Sequence, residues 1–223
     1  MPGFARLKNM LPMRSVPSVG PWRVFALSIA AVAVLTTAWL TARAAPLDEE
    51  WPDEADRLVK RLALPRQATV AEIGAGRGEL TVEMARRLGA DGRLFSTEID
   101  DARRDDIRRA VADAKLANVT VVTAGERSSN LDDGCCDAIY MREVFHHFGD
   151  RPAMTASLRQ ALKPGGRLAV IDYPLRNNYG GDCHCIDKAE LIRIVTAAGF
   201  EVEHQQDRWA GIRYLVVFRR GPA

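Results

Sequence analysis

Glu72-Ile73-Gly74-Ala75-Gly76-Arg77-Gly78 follows the short apolar run Thr69 to Ile73 and opens a segment, Glu79 to Leu88, that reads as a helix closed by Gly89. Alternating glycines let the chain turn tightly and let a ligand come close to bare backbone. Amides at the start of the following helix favour a negative group such as a carboxylate. The spacing is G-x-G-x-G, with an acid two residues before the first glycine. Three positions after Gly76 stands Glu79, where a dinucleotide fingerprint has its third glycine. A carboxylate at Glu72 repels a pyrophosphate but suits an ammonium.

Outward from this turn, strands and helices alternate, which argues for a parallel sheet covered on both faces. Downstream, Arg93 to Thr97 is the second strand, Asp101 to Ala117 a helix, Thr120 to Thr123 the third strand and Asp137 to Met141 the fourth. A helix runs from Pro152, a residue suited to a first turn, to Leu162. Lys163-Pro164-Gly165-Gly166 reads as a turn into the fifth strand, Arg167 to Ile171. A long polar loop, Asp172 to Ile186, precedes Asp187-Lys188-Ala189-Glu190, whose spacing is that of a capping box opening a helix up to Gly199. Glu201 to Asp207 and Tyr214 to Arg219 have no helix between them and form a terminal antiparallel hairpin. Upstream, Asp48 to Leu64 carries Trp51, Ala55, Leu58, Val59 and Leu62 near helical spacing and stops at Pro65. Glu98 ends the second strand where such folds hydrogen-bond ribose hydroxyls.

The E-x-G-x-G-x-G motif, Glu98, Asp137-Ala138-Ile139-Tyr140, Val144-Phe145-His146-His147-Phe148 and Leu162-Lys163-Pro164-Gly165-Gly166-Arg167-Leu168 together resemble the class I S-adenosylmethionine-dependent methyltransferases. The likeness is to their small-molecule branch, with its quinone-biosynthesis and methyltransferase-11-type domains, and runs from about Asp48 to Arg220. It implies an α/β, Rossmann-like, doubly wound sheet of seven strands, mostly parallel with an antiparallel last strand, in a methyltransferase domain over residues 47–223. S-adenosyl-L-methionine is then the cofactor. Its contacts fall on Glu72, Gly74, Ala75, Gly76, Gly78, Glu98, Ile99, Glu126 and Arg142, with Glu72, Gly74 and Gly76 at the methionine part and Glu98 at the ribose. One position departs from the pattern: related sequences carry Asp beside the third strand to meet the adenine amino group. Here Gly125 stands there with Glu126 next, so adenine recognition falls to Glu126 or to backbone alone.

Methyl transfer is an in-line displacement from a donor that is already activated, so the protein must chiefly align the reactants, an effect of about 7–11 kcal/mol. A base, contributing ~10²–10⁴-fold, is needed only where the acceptor loses a proton. His146 and His147 follow the fourth strand at the carboxyl edge, where open α/β sheets bind ligands; either one serves as that base or the pair shapes the pocket floor. Asp172 and Tyr173 end the fifth strand on the same edge, facing the acceptor or capping the loop. Trp51 covers the cofactor or anchors its helix; its amphipathic spacing favours the anchor. His184 lies between Cys183 and Cys185 with no second spaced ligand set, so no metal site is expected.

The rest of the chain bounds the reading. Its 223 residues suggest one domain with a short appendage. Thirty-one basic against 29 acidic residues give a net charge of +2, which predicts no nucleic-acid partner. Arg6, Lys8, Arg14 and Arg23 precede an uncharged apolar run from Val24 to Leu40 and a small-residue stretch ending Ala44-Ala45-Pro46. Residues 1–46 therefore read as a signal peptide or an N-terminal membrane anchor, with membrane contact through residues 24–40. Basic flanks place the following domain across the membrane, in an exported, periplasmic or inner-membrane-anchored location. A cofactor made in the cytosol pulls the other way. Cys135–Cys136 and Cys183–Cys185 have no zinc spacing, and export would permit a disulfide between the two pairs. Neither the acceptor nor the oligomeric state is encoded in any pattern read here. Three function classes fit in descending order: a small-molecule methyltransferase, an inactive relative kept as a binding module, and a nicotinamide-dependent oxidoreductase.

Overall fold

The computed structural model describes residues 50–174 and 185–221. The amino-terminal segment read as signal or anchor, together with Cys183 and His184, lies outside them. Among the described residues no helix is long and apolar enough to cross a membrane, and no group of three or more His, Cys, Asp or Glu side chains could hold a metal ion.

Helix α1 (Glu50–Leu62) leads into β1 (Thr69–Ile73), α2 (Glu79–Arg87), β2 (Arg93–Glu98), α3 (Asp101–Asp113), β3 (Val119–Thr123) and β4 (Cys136–Arg142). A 3₁₀ turn (Phe145–His147), α4 (Arg151–Ala161), β5 (Leu162–Asp172), α5 (Lys188–Ala197), β6 (Phe200–Gln206) and β7 (Tyr214–Arg220) follow. The seven strands form one sheet in the order β3-β2-β1-β4-β5-β7-β6. Strands β1 to β5 pair in parallel, and β7 runs antiparallel to both β5 and β6. The expected architecture is thus present, with the last strand inserted between β5 and β6. From β1 the chain winds outward to β3, then crosses back to begin β4 on the other side. The resulting switch point between β1 and β4 opens a crevice at the carboxyl ends of the strands.

Side chains alternate between the two faces of each central strand, so both faces are apolar. On one face Ala71, Ile139, Met141 and Val170 meet Met154 and Leu158 of α4 and Leu191 and Val195 of α5. On the other, Val70, Ala138, Ala169 and Val217 meet Leu58 and Leu62 of α1 and Leu80 and Met84 of α2.

Three local expectations are corrected. Lys163 to Gly166 is not a turn before β5 but a bulge within it: pairing jumps from Cys136↔Leu162 to Ala138↔Arg167, and Gly165 takes φ +75°. The bulge is pinned by Lys163 Nζ, 2.7 Å from Asp137 Oδ1. Helix α3 stops at Asp113, short of Ala117, because Lys115 turns left-handed (φ +55°) and the Leu116 amide donates back to Val111 O at 3.1 Å. Only half of the capping box forms. Asp187 accepts from the amides of Ala189 and Glu190, but Glu190 turns outward to Arg193 at 2.7 Å. Cys135 and Cys136 are both free thiols, so no disulfide joins them to the second cysteine pair. Burial pushes the Cys136 thiol up, out of the range of a reactive thiolate.

Candidate active site

The crevice is a trough of about 990 Å³ crossing the sheet edge. Its floor runs from Ala124 to Arg127 after β3, over Glu98 and Ile99 at the end of β2, past Gly74 and Gly76, to Arg142, Glu143 and His147 after β4.

Backbone geometry explains the glycine turn. Gly74 has φ +68°, and a Cβ there would stand 2.6 Å from Cγ2 of Val144. Val144 therefore fixes the closest approach of β4 to the turn. Gly78 has φ +91°, and its Cβ would meet the Ile107 backbone at 3.2 Å, so α2 and α3 pack through it. Gly76 differs: φ is +60°, yet nothing lies within 4 Å of its Cβ position, which leaves its bare backbone open to the trough. The amides of Gly74 and Ala75 donate to Thr97 O at 2.9 and 3.0 Å, tying the turn to β2. Ala75 and Gly78 shape this turn without lining the trough.

Glu98 is buried and held by three backbone amides, Gly76 to Oε2 at 2.9 Å, and Ile99 and Asp100 to Oε1 at 2.9 and 3.2 Å. A carboxylate fixed in this way at the trough floor keeps lone pairs for hydroxyl donors. Ile99 beside it is half exposed, an apolar surface for a planar ring. At the far end Gly125 and Glu126 both line the trough; the Gly125 amide turns inward to Ser128 O at 2.8 Å. Arg127 closes this end by reaching Asp150, the N-cap of α4, at 2.5 Å.

Glu72 does not line the trough. Its side chain lies beneath the glycine turn, accepting from the Thr81 hydroxyl, which also contacts Ser96 Oγ at 2.9 Å. Burial without a cation beside it pushes its carboxyl up to about 7. Arg142 does line the trough, but its guanidinium is committed elsewhere. It meets Glu50 at 2.8 Å, Glu54 at 2.9 Å and Glu143 at 3.2 Å, and lies 4.4 Å over the Trp51 ring. Trp51 is therefore an anchor for α1 against the end of β4. Arg213, from the segment between β6 and β7, also pairs with Glu143 and with Glu50 at 2.7 Å. Glu143 itself has φ +59°, unusual for a residue with a side chain, and the two arginines hold it there.

The histidines and Asp172 come together. Asp172 is fully buried; its Oδ1 lies 2.6 Å from His146 Nδ1 and accepts from the Tyr173 amide at 2.8 Å, while Oδ2 faces the His146 amide at 3.3 Å. His146 Nε2 in turn lies 3.0 Å from His147 Nε2, and His147 lines the trough. Arg151 clamps the 3₁₀ turn by donating to Phe145 O and His146 O at 3.4 and 3.0 Å. Tyr173 is not part of the trough wall; its ring lies under Arg213, 5.3 Å from the guanidinium carbon. Sequence reasoning gave no site role to Glu143, to the Arg127–Asp150 pair, or to Val144 beyond its place in a motif, because no spacing announces which side chains meet across a sheet edge.

A family model described as a methyltransferase domain matches residues 70–166. The ubiquinone/menaquinone biosynthesis C-methyltransferase of Idiomarina loihiensis is 31% identical over 113 residues, which cover 48% of this chain and 43% of that protein. The biotin biosynthesis bifunctional protein of Bordetella avium is 39% identical over 113 residues, 50% of this chain and 23% of that protein. The matches thus span less than half the length of these relatives. Among solved structures, an S-adenosylmethionine-dependent methyltransferase from Aquifex aeolicus superposes with a TM-score of 0.70 at 22% identity, covering 78% of this chain and 95% of that one. The cyclase SpnF superposes with a TM-score of 0.67 at 16% identity, covering 77% and 81%. At such identities the structural likeness speaks to fold alone.

Proposed function

We propose that the chain acts as a class I S-adenosylmethionine-dependent methyltransferase and transfers the methyl group of that cofactor to a small, ring-bearing acceptor of the quinol type. The observation that carries this reading is the trough itself. A glycine turn with one open backbone position, a carboxylate fixed by three amides and an exposed apolar side chain stand in a row across the switch point. An adenosine joined to an amino acid fits that row: adenine over Ile99 and the residues after β3, ribose on Glu98, the amino-acid end toward β4. When bound, the sulfonium supplies an electrophilic methyl whose bonding pair departs with sulfur. The protein's own part is to hold the two reactants in line and exclude water between them. The quinol class rests on the names of the curated relatives.

Calorimetric titration of the purified chain tests the reading. Binding of S-adenosylmethionine, no binding of NAD, and loss of binding in Glu98→Ala are the expected results; binding of NAD alone would sink it. A second reading, a binding module without turnover, is favoured by Gly125 in place of the usual adenine-directed acid. Tight cofactor binding with no labelled methyl passed to any quinol would favour it.

A further inference from the structure

We infer that Asp150, held by Arg127, reads the 6-amino group of the cofactor's adenine in place of the acid missing at Gly125. The inference rests on the methyltransferase reading above and names the residues that set the choice of base.

An adenine makes two demands on its site. Its faces need apolar cover, and its 6-amino group is a donor that needs an acceptor, next to ring nitrogens that need donors. The β3 end of the trough offers all three. Arg127 meets Asp150 at 2.5 Å, which brings the start of α4 onto the segment after β3. Farther along α4, the Ser157 hydroxyl lies 3.1 Å from that of Ser129 and fastens the same two segments. Phe148 and Met154, on either side of Asp150 in sequence, therefore line the trough at the end where Gly125 and Glu126 stand, with Ile99 as a further apolar wall.

Three sources of recognition compete there, and two are poorly placed. The backbone amides after β3 are engaged: Ala124 donates to Glu98 O at 3.1 Å, and Gly125 to Ser128 O at 2.8 Å. Glu126 lines the trough but is exposed, and among the described residues no side chain holds it. Fixing so long a side chain on a ligand costs rotamer freedom. Asp150 is already fixed. Its Oδ1 accepts from the Ala153 amide at 3.0 Å, and its Oδ2 faces Arg127 Nη2. A carboxylate has about four acceptor positions, so both oxygens keep capacity for an amino group. The Ala153 amide, and then Arg127, hold its carboxyl below the usual range, which keeps it an acceptor at neutral pH. Arg127 spends one N–H on Asp150 and has others for a ring nitrogen. An acceptor and a donor set side by side match the amino group and ring nitrogen of adenine, and their order precedes the ligand. Asp150 is the specificity-determining residue, and Arg127 positions it.

Calorimetry on the full chain tests the assignment with two probes, S-adenosylhomocysteine and its analogue carrying hydrogen in place of the 6-amino group. The wild type should prefer the amino compound by ~10-fold or more. Asp150→Ser keeps a good cap for α4 but has no carboxylate, and it should lose the preference. Asp150→Asn, an equally good cap and a weaker acceptor, should show an intermediate one. Glu126→Gln should keep the preference, Arg127→Met should reduce it, and Arg127→Lys should recover part of it. A preference retained in both Asp150 variants, or lost in Glu126→Gln, overturns the assignment, as does equal binding of the two probes by the wild type. A preference untouched by Arg127→Met overturns the positioning role of Arg127. Failure of the wild-type chain to bind S-adenosylhomocysteine at all would strike the methyltransferase reading instead.

Discussion

The carboxyl group of Glu72 accepts the Thr81 hydroxyl inside the core, beneath the glycine turn and away from the trough floor. Loss of hydration raises its pKa from an ordinary 4.5 to about 7. Between those values the folded chain holds a proton that the unfolded chain has released, so stability falls by about 1.4 kcal/mol per pH unit as pH rises. The contribution is whole below pH 4.5 and gone above about 7. Its total is on the order of 3 kcal/mol. Glu72→Gln cannot ionise. Urea midpoints of the cofactor-free chain should fall from pH 5 to pH 8 in the wild type and stay nearly level in the variant, which becomes the more stable at pH 8. Parallel pH profiles would mean that Glu72 stays ionised when folded.

The two glycines of the turn should respond differently to alanine. Both have positive φ, which costs about 1–2 kcal/mol for a residue with a Cβ. At Gly74 the new methyl also strikes Val144, so Gly74→Ala should be the less stable of the two, and adding Val144→Ala should recover the steric part alone. Gly76→Ala meets no protein atom. Its methyl stands where a ligand would lie, so cofactor affinity should drop at least tenfold with only the φ cost in stability. Thermal melts and calorimetry on the three variants separate these contributions.

These contrasts show what the sequence made legible. The strand β1 was readable to the residue, since Thr69 to Ile73 is an apolar run with a proline before it and glycines after. The terminal hairpin was readable because no helix-length segment separates its strands. The Lys163–Gly166 bulge was not, since Pro and Gly look alike in a turn and in a bulge that keeps pairing on both sides. At the candidate site the residue types were legible, but their orientation was not. A buried Glu72, an Arg142 wholly engaged by three carboxylates, and a Tyr173 under Arg213 depend on contacts between segments far apart in the chain.

The anchoring of α1 offers a stability test independent of any ligand. Glu54 is fully buried, with Oε1 accepting from Trp209 Nε1 at 2.8 Å and Oε2 2.9 Å from Arg142 Nε. Removing Glu54 leaves the buried Trp209 N–H without this acceptor and takes one of three carboxylates from Arg142, at a cost of about 1–3 kcal/mol. Glu54→Ala should lower stability by that order in chemical denaturation, whereas Asp56→Ala, whose own carboxylate is exposed and whose partner Arg87 keeps Glu83, should cost under about 1 kcal/mol. Equal losses would remove the distinction between the two acids.

The strand order also decides which acid should meet the amino-acid end of the cofactor. In the proposed pose, with adenine beside β3 and ribose on Glu98, the methionine end would lie over β1 and β4, where the charged side chains lining the trough are Arg142 and Glu143. Glu143 is aimed there by an unusual backbone conformation and by two arginines on one of its oxygens, Oε1. A charge-assisted hydrogen bond from the ammonium to this carboxylate should contribute about 1.5–3 kcal/mol. Calorimetry with S-adenosylmethionine and with 5′-methylthioadenosine, which lacks the amino-acid end, isolates that contribution. Glu143→Gln should bind the full cofactor ~10-fold or more weakly. The truncated nucleoside should be almost unaffected, and Glu72→Gln should show no such selectivity. A selective loss in Glu72→Gln instead would mean that the buried carboxylate swings out to the ligand on binding.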